Sequence, residues 1–105
     1  MFKVIGTDTY FRELKKFPKS DQEVARDIPQ QLCANPFVGK QLTYPFLREK
    51  KIGGRRIYYL IYEDLKLVLI VATSDKKNQQ ETIDHIKLQL DEFKKIAEEI
   101  AKQVS

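Results

Sequence analysis

The sequence predicts an α+β fold, in which a small, antiparallel-rich twisted sheet carries two N-terminal helices and a long C-terminal helix. Three observations predict it: a helical apolar pattern over residues 7–34, two strand-like runs at 56–62 and 65–73, and a second helical pattern from residue 78 onward. With 105 residues, of which 42% are hydrophobic, the chain can build one core but not two. We therefore expect a single domain over residues 1–105.

The N-terminal residues predict a short strand followed by a helix. Residues 2–6 form a brief apolar run that is typical of a strand. Residues 7–17 repeat apolar side chains at spacings of four and three, which is the pattern of an amphipathic helix, and Pro18 should end that helix.

A second helix is predicted over residues 20–34. Ser20 and Glu23 match the capping box, in which a serine accepts from the third amide of the helix and a glutamate reaches back. Pro29 should kink or split the helix, because proline lacks an amide donor and clashes with the preceding turn. The proline and glycine within residues 35–40 then indicate a loop.

Three strands are predicted in the middle of the chain. Residues 44–51 give the weakest pattern, and the proline near their start suggests an edge strand. Residues 56–62 and 65–73 are apolar at nearly every position, which is typical of central strands that are covered on both faces. The acidic pair at 63–64 should join these two strands as a tight hairpin, and the glycine pair at 53–54 should turn the chain between the first two.

Residues 78–104 predict one extended C-terminal helix, with Asn78 and Glu81 as a capping pair. Its apolar positions follow a strict heptad spacing of three and four. These positions are Ile83, Ile86, Leu90, Phe93, Ala97, Ile100 and Val104. Either this seam packs on the domain itself, or its distal turns project and bind a partner, including a second copy of the chain in a homodimer.

Positive charge is concentrated in one region of the sequence. The net charge is +4, yet residues 40–56 hold six cations and one carboxylate, and Lys76 and Lys77 add two further cations. The rest of the chain is therefore net acidic. A polyanion responds to the field of a local patch more than to the molecular total, so the patch indicates nucleic acid as a partner. The alternative is a solvated basic edge that keeps an edge strand from pairing.

The composition argues against several other classes of protein. No apolar run approaches the roughly 20 residues needed to cross a bilayer, and the first ten residues lack a signal-peptide pattern. A single cysteine, Cys33, cannot form an internal disulfide, which is typical of a cytoplasmic protein. Because His85 is the only histidine, neither a metal site nor a histidine-dependent triad is predicted, and no cofactor is expected.

The cations can support one reaction without a metal ion. Arginine and lysine position a phosphate and stabilise the charge that develops on it in a transition state. Attack of a ribose 2′-hydroxyl on its neighbouring phosphate needs such groups and a means of moving a proton. RNA cleavage is therefore the enzymatic activity that these residues favour.

Three segments, taken in order, resemble the RelE/ParE toxin superfamily of type II toxin–antitoxin modules. They are FRELKKFPK (11–19), NPFVGKQL (35–42) and GGRRIYYLIYEDLKLVLIVATSDKK (53–77). The resemblance covers about residues 2–85 and depends on pattern and order rather than on one motif. It implies a cytoplasmic toxin that is neutralised by a cognate RelB-like antitoxin. In RelE-like members it also implies a metal-free endonuclease that cuts messenger RNA on the ribosome.

The resemblance implies roles for eight basic residues. It places Arg48, Lys50, Arg56 and Lys77 at catalytic positions, with Arg56 on the scissile phosphate. It leaves Lys40, Lys51, Arg55 and Lys76 to bind RNA phosphates. The family carries a tyrosine where this sequence has Ile83. Either a lysine takes over the proton transfer, with Arg48 and Lys50 as the candidates to exchange protons, or the cleavage is weak, or the toxin does something else.

The sequence leaves three functions open. The first is a RelE-like mRNA interferase. The second is a ParE-like toxin that binds and inhibits DNA gyrase, which the cation cluster fits less well. The third is a non-catalytic relative that keeps the fold and a partner-binding groove.

Overall fold

The computed structural model of the protein describes residues 1–104, which form a five-stranded sheet with helices on both faces. The strands are β1 (Lys3–Gly6), β2 (Lys40–Gln41), β3 (Leu47–Ile52), β4 (Arg55–Tyr62) and β5 (Leu67–Asp75). The helices are α1 (Asp8–Leu14), α2 (Lys19–Ala25), α3 (Ile28–Ala34), α4 (Gln79–Leu88) and α5 (Leu90–Val104). Two 3₁₀ turns span Pro36–Val38 and Glu63–Leu65. Over this part of the chain, no helix has the length and the apolar composition needed to cross a membrane.

The strands lie in the order β1-β5-β4-β3-β2. β1 runs parallel to β5, and the other neighbours are antiparallel, so the predicted α+β class with an antiparallel-rich sheet is confirmed. β4 and β5 are buried along almost their whole length, because both faces of the sheet are covered.

Each face of the sheet has its own core. On one face, α1, α2 and α3 pack against strand residues that include Ile57 and Tyr59. On the opposite face, α4 and α5 cover residues that include Tyr58 and Leu60. Because successive side chains of a strand point to opposite faces, each residue of the β3–β4 hairpin belongs to one face or the other.

The N-terminal helical region contains three short helices rather than two. The chain breaks between α2 and α3, and Pro29 lies in the first turn of α3, so the predicted split at this proline is confirmed. The predicted capping box is wrong, because α2 begins directly after Pro18 and Ser20 lies inside its first turn. Proline fixes φ near the helical value, which favours a helix start one residue earlier than the serine. α1 also ends sooner than predicted, at Leu14.

Two strand connections differ in how well the sequence predicted them. Gly53 has a φ of +55°, a conformation that favours glycine, and this confirms the turn between β3 and β4. Between β4 and β5, residues 63–66 replace the predicted two-residue hairpin, with Lys66 at a φ of 52°.

β3 begins at Leu47 rather than residue 44, because the Leu47 amide donates to the Tyr44 carbonyl and closes a turn there. The short strand β2 was not predicted.

The prediction of one extended C-terminal helix is wrong, because the chain breaks at Gln89 into α4 and α5. The apolar seam nevertheless packs on the domain itself. Ile83 and Ile86 are buried in the second core, and Phe93 and Ile100 pack against it. This confirms the first interpretation of the seam as far as Ile100. A homodimer formed through α5 stays a prediction.

The start of α4 is organised by an aspartate instead of the predicted capping pair. Asn78 precedes α4, but its side chain caps no helix amide. Its backbone amide and its Nδ2 donate to Oδ1 of Asp75 at 2.9 and 3.0 Å. The backbone bond is the main reason why the pKa of Asp75 lies below its usual value. The capping role assigned to Asn78 and Glu81 is therefore wrong, because Asp75 takes the backbone amide that Glu81 would have bonded, and the side chain of Asn78 bonds to Asp75 instead of to the helix.

Four tyrosines make the stability of this fold sensitive to alkaline pH. Burial raises the pKa of Tyr10, Tyr58 and Tyr59, and burial together with Glu98 raises the pKa of Tyr62 to about 12. A group with a raised pKa stays protonated in the folded protein where the unfolded chain ionises. The contribution of such a tyrosine to the free energy of unfolding is therefore complete below about pH 10 and is lost as the pH rises towards 12. We expect thermal melts to show a midpoint that falls steeply above about pH 10, and less steeply in Tyr62→Phe. Equal pH slopes for the two proteins would contradict this prediction.

Candidate functional site

Arg56 lies on the face of the sheet that α4 covers, and it forms a buried ion pair there. Its Nε donates to Oε1 of Glu49 at 3.1 Å, and Nε2 of Gln79, the first residue of α4, donates to the same oxygen at 2.7 Å. The side chains of Arg56 and Glu49 are only 8 and 6% exposed. Two neighbouring strands and a helix therefore fix the guanidinium group in place.

One guanidinium nitrogen of Arg56 has no partner. Nη1 is the sole buried side-chain nitrogen or oxygen in residues 1–104 that lacks a hydrogen bond. A buried, charged donor without an acceptor is costly, and such groups in native proteins call for a physical explanation. A guanidinium nitrogen with unused donor capacity suits a phosphate or carboxylate oxygen.

The ion pair lines a cavity of about 470 Å³ on the β2 side of the sheet. The other lining residues are Val38, Gly39, Lys40, Lys50, Lys51 and Gln79. The lining thus contains four cations and one carboxylate. This excess of positive charge favours a ligand that carries several negative charges.

The other four basic residues singled out in the sequence do not line this cavity. Arg48 points away from the α4 face by strand alternation and bonds to the backbone of the preceding loop. Arg55 lies over an aromatic ring on the α1 side of the sheet. Lys76 and Lys77 are exposed in the connection between β5 and α4. Of the four residues predicted to be catalytic, the cavity therefore unites only two.

Glu49 was not predicted as a site residue, although the strand register could have revealed it. The two-residue glycine turn pairs Ile52 with Arg55. Counting outward from this turn places Glu49 opposite Tyr58, and therefore on the same face as Arg56. The turn, and not proximity in the sequence, therefore decides that Glu49 is the carboxylate next to Arg56.

Gly39 allows the loop before β2 to form one wall of the cavity. The Tyr59 hydroxyl donates to the Pro36 carbonyl at 2.7 Å and accepts from the Gly39 amide at 3.0 Å. A Cβ atom at Gly39 would collide with the Tyr59 hydroxyl and would lie 2.8 Å from the Glu49 carbonyl. A side chain at this position would therefore push the wall away from the sheet.

Glu49 is the only side chain lining the cavity that could accept a proton as a carboxylate. Tyr58 lies beside the ion pair, with its hydroxyl 2.8 Å from Oγ of Ser74, and burial raises its pKa, so it stays protonated at neutral pH. Ile83, which stands where the resembling family has a tyrosine, is buried in the core. Among the carboxylates and tyrosines near the cavity, Glu49 is therefore the side chain that is placed to take a proton.

Side chains that usually bind metal ions are scattered over the described residues. Between residues 1 and 104, no group of three or more histidine, cysteine, aspartate or glutamate side chains could hold a metal ion. The histidine at position 85 is exposed on α4. The chemistry of the cavity is instead that of an anion site.

Comparison with known proteins gives structural matches alone. No protein-family model matches the chain, and no curated protein matches it in sequence. The isolated RelE toxin of E. coli matches with a TM-score of 0.63 at 14% identity, covering 82% of this chain and 99% of the toxin chain. The RelBE2 toxin–antitoxin complex of Mycobacterium tuberculosis matches with a TM-score of 0.62 at 24% identity, covering 71% and 98%. The RelB–RelE complex of Methanococcus jannaschii gives 0.61 at 15% identity, covering 75% and 98%.

The matched region spans nearly the whole length of each solved chain. Identities of this size establish a shared fold rather than a shared activity. These matches confirm the predicted fold class and the resemblance that three sequence segments indicated. This chain has the fold of the RelE toxins.

Proposed function

We propose that this chain is the toxin of a type II toxin–antitoxin module and that it binds and cuts messenger RNA on the ribosome through the cavity around Arg56. The observation that carries the proposal is a cavity lined by four cations, one of which, Arg56, is held in place by Glu49 and has a buried guanidinium nitrogen without a partner. The fold supports the toxin role, since the solved structures it matches include a RelE toxin alone and RelE–RelB complexes.

Phosphate binding in the cavity combines one fixed cation with several mobile ones. Arg56 is held by Glu49 and lines the cavity, where its guanidinium group can donate to a phosphate oxygen. Lys40 and Lys51 lie on the same face as Arg56 by strand register and have exposed side chains, so their ammonium groups can follow the RNA backbone. Binding should therefore weaken strongly as salt is added.

The cavity also holds a proton acceptor for the cleavage step. The ribose 2′-oxygen attacks the adjacent phosphorus, and the Glu49 carboxylate takes the 2′-hydroxyl proton. The bond from phosphorus to the 5′-oxygen breaks, which leaves a 2′,3′-cyclic phosphate, and the departing oxygen takes a proton from water. Arg56 stabilises the charge that develops on the phosphate oxygens.

An antitoxin must cover the same surface to neutralise the toxin. The four cations of the cavity are complementary to an acidic segment, and such complementarity guides both binding rate and specificity. The partner proposed here is therefore a RelB-like antitoxin that carries acidic residues where it crosses the cavity.

Removing two cavity lysines should abolish toxicity without affecting the fold. Lys40→Ala/Lys51→Ala takes away two of the four cations, both on the same face of the sheet as Arg56, and leaves the buried ion pair intact. Lys15→Ala/Lys16→Ala is the matched control, because it removes the same charge from exposed positions just after α1. On induced expression, the wild type and the control should arrest translation and leave discrete cuts in messenger RNA, whereas the cavity variant should do neither.

Other outcomes would contradict this function in different ways. Equal arrest by all three proteins would show that the cavity is not the RNA site. Filamentous cells with damaged DNA and intact messages would instead identify gyrase as the target. Normal growth of cells that express the soluble wild-type protein would identify a non-toxic protein with the same fold.

A further inference from the structure

We propose that the groove beside the cavity binds an unpaired RNA base, and that Phe37, held in place by Arg48, is the surface on which this base stacks. The inference rests on the proposed function, since it requires an RNA phosphate in the neighbouring cavity. It assigns Arg48 a positioning role instead of the catalytic role that the family resemblance implies.

Phe37 is a large apolar ring that remains at the surface in a fixed orientation. The residue is 40% exposed, and its amide donates to Oδ1 of Asn35 at 3.1 Å. The guanidinium carbon of Arg48 lies 5.2 Å from the centre of the ring. Arg48 is fixed in turn, because its Nε donates to the Pro45 carbonyl at 2.9 Å and its Nη1 to the Gly39 carbonyl at 3.2 Å. Stacking on a ring that is already ordered costs little conformational entropy.

The groove next to Phe37 has the size and lining of a site for a flat, apolar group. Its volume is about 690 Å³, within the ~300–1,000 Å³ range of small-ligand pockets. Its lining includes Pro45, Phe46, Ile61, Tyr62 and Leu90. Phe46 is 37% exposed and stacks on Tyr44 with centroids 5.1 Å apart and ring planes 3° from parallel. Aromatic side chains of this kind are the usual stacking surfaces for single-stranded nucleic acid.

The charges around the groove select a base rather than a phosphate. Glu63, Asp64 and Asp91 line it, with Lys94 as its one cation. These carboxylates repel phosphate, but they can accept hydrogen bonds from the amino groups of a base. A cationic peptide would also suit the carboxylates, but it would be repelled by the four cations of the adjacent cavity.

The groove and the cavity share one stretch of backbone. Phe37 lines the groove, and the next three residues, 38–40, line the cavity. The hydrogen bond from Arg48 to Gly39 connects the two walls. A single RNA strand that follows this stretch of backbone can therefore reach both sites.

Binding of a single-stranded RNA oligonucleotide, measured over a range of salt concentrations, separates stacking from charge. Phe37→Leu keeps an apolar side chain but loses the ring, so we expect affinity to fall by about 5- to 100-fold with an unchanged salt slope. Lys51→Ala, which removes a cation opposite Arg56 on the same face, should instead reduce the slope by about one. Val24→Ala, an exposed apolar residue on α2, should bind like the wild type.

An oligonucleotide with abasic sites provides the reciprocal test, because it keeps every phosphate. The wild type should bind it about as weakly as Phe37→Leu binds the intact RNA, and Phe37→Leu should not discriminate between the two. Normal affinity of Phe37→Leu, in a protein whose binding still depends on Lys51, overturns the stacking site and leaves the proposed function standing. A wild type that binds no RNA oligonucleotide overturns the stacking site, and the expression assay with the lysine variants decides the proposed function separately. A Phe37→Leu toxin that still cuts messages but escapes its antitoxin reassigns the groove to the protein partner.

Discussion

Arg56→Ala should lower the free energy of unfolding by about 3–5 kcal/mol and should also abolish toxicity. The substitution leaves the Glu49 carboxylate, only 6% exposed, without its counter-ion. Removing one member of a buried ion pair typically costs this much, because the other charge stays desolvated and uncompensated. Thermal melts and urea titrations measure the effect, and for a chain of this length we expect the midpoint to fall by about 12 °C or more.

The double variant Glu49→Leu/Arg56→Met separates the structural loss from the functional one. Replacing both charges with apolar side chains removes the desolvation penalty along with the attraction, so most of the stability should return. Gln79 loses its acceptor, so we expect recovery to fall short by about 1–2 kcal/mol. The double variant should remain non-toxic. Wild-type stability in Arg56→Ala would show that the two side chains do not form a buried pair in solution.

This coupling affects how toxicity tests at Arg56 can be interpreted. A non-toxic Arg56→Ala protein could be inactive because it is unfolded, so the result would not assign a role in RNA binding. The lysine variants avoid the problem, because Lys40 and Lys51 lie at the cavity without a salt bridge to Glu49. The stability measurements and the lysine variants together separate the folding role of Arg56 from its role at the phosphate.

The central strands could be predicted from the sequence because they satisfy two requirements at once. β4 and β5 are buried on both faces, so nearly every residue must be apolar, and few other structures produce such runs. The break at Gln89 had no such signal. Neither proline nor glycine occurs near it, and the apolar spacing continues unchanged from Ile86 to Phe93. The two-residue strand β2 is likewise too short to produce a pattern.

The site was only partly predictable, because its chemistry depends on strand register. Counted along the sequence, Glu49 is one negative charge among six positive ones. In the hairpin it becomes the partner of Arg56, whereas Arg48, its direct neighbour, lies on the other face. A local charge sum could therefore locate the cation cluster. It could not show which cations would meet or that a carboxylate would lie among them.

Glu49→Gln should lower the rate of RNA cleavage by about 10²- to 10⁴-fold and should leave RNA binding intact or tighter. The amide keeps an oxygen that can accept from Arg56 and Gln79, so the cavity should retain its shape, although the protein should be less stable because Arg56 loses its buried counter-ion. It cannot take the 2′-hydroxyl proton, and its neutral charge leaves the four cations unopposed. Single-turnover cleavage of messenger RNA on programmed ribosomes measures the rate, and the salt dependence of RNA affinity measures the charge.

Glu13→Gln is the matched control for this prediction. Glu13 also accepts hydrogen bonds through a half-buried carboxylate, from the amide and the hydroxyl of Thr73, but it does not line the cavity. The Glu13→Gln protein should cleave RNA at the wild-type rate. A Glu49→Gln protein that is folded and cleaves within tenfold of the wild type would exclude Glu49 as the proton acceptor. A protein that has lost both binding and stability would show that the carboxylate holds Arg56 in place and nothing more. If Glu49→Gln cleaves RNA slowly but binds it more tightly, the carboxylate takes part in the reaction.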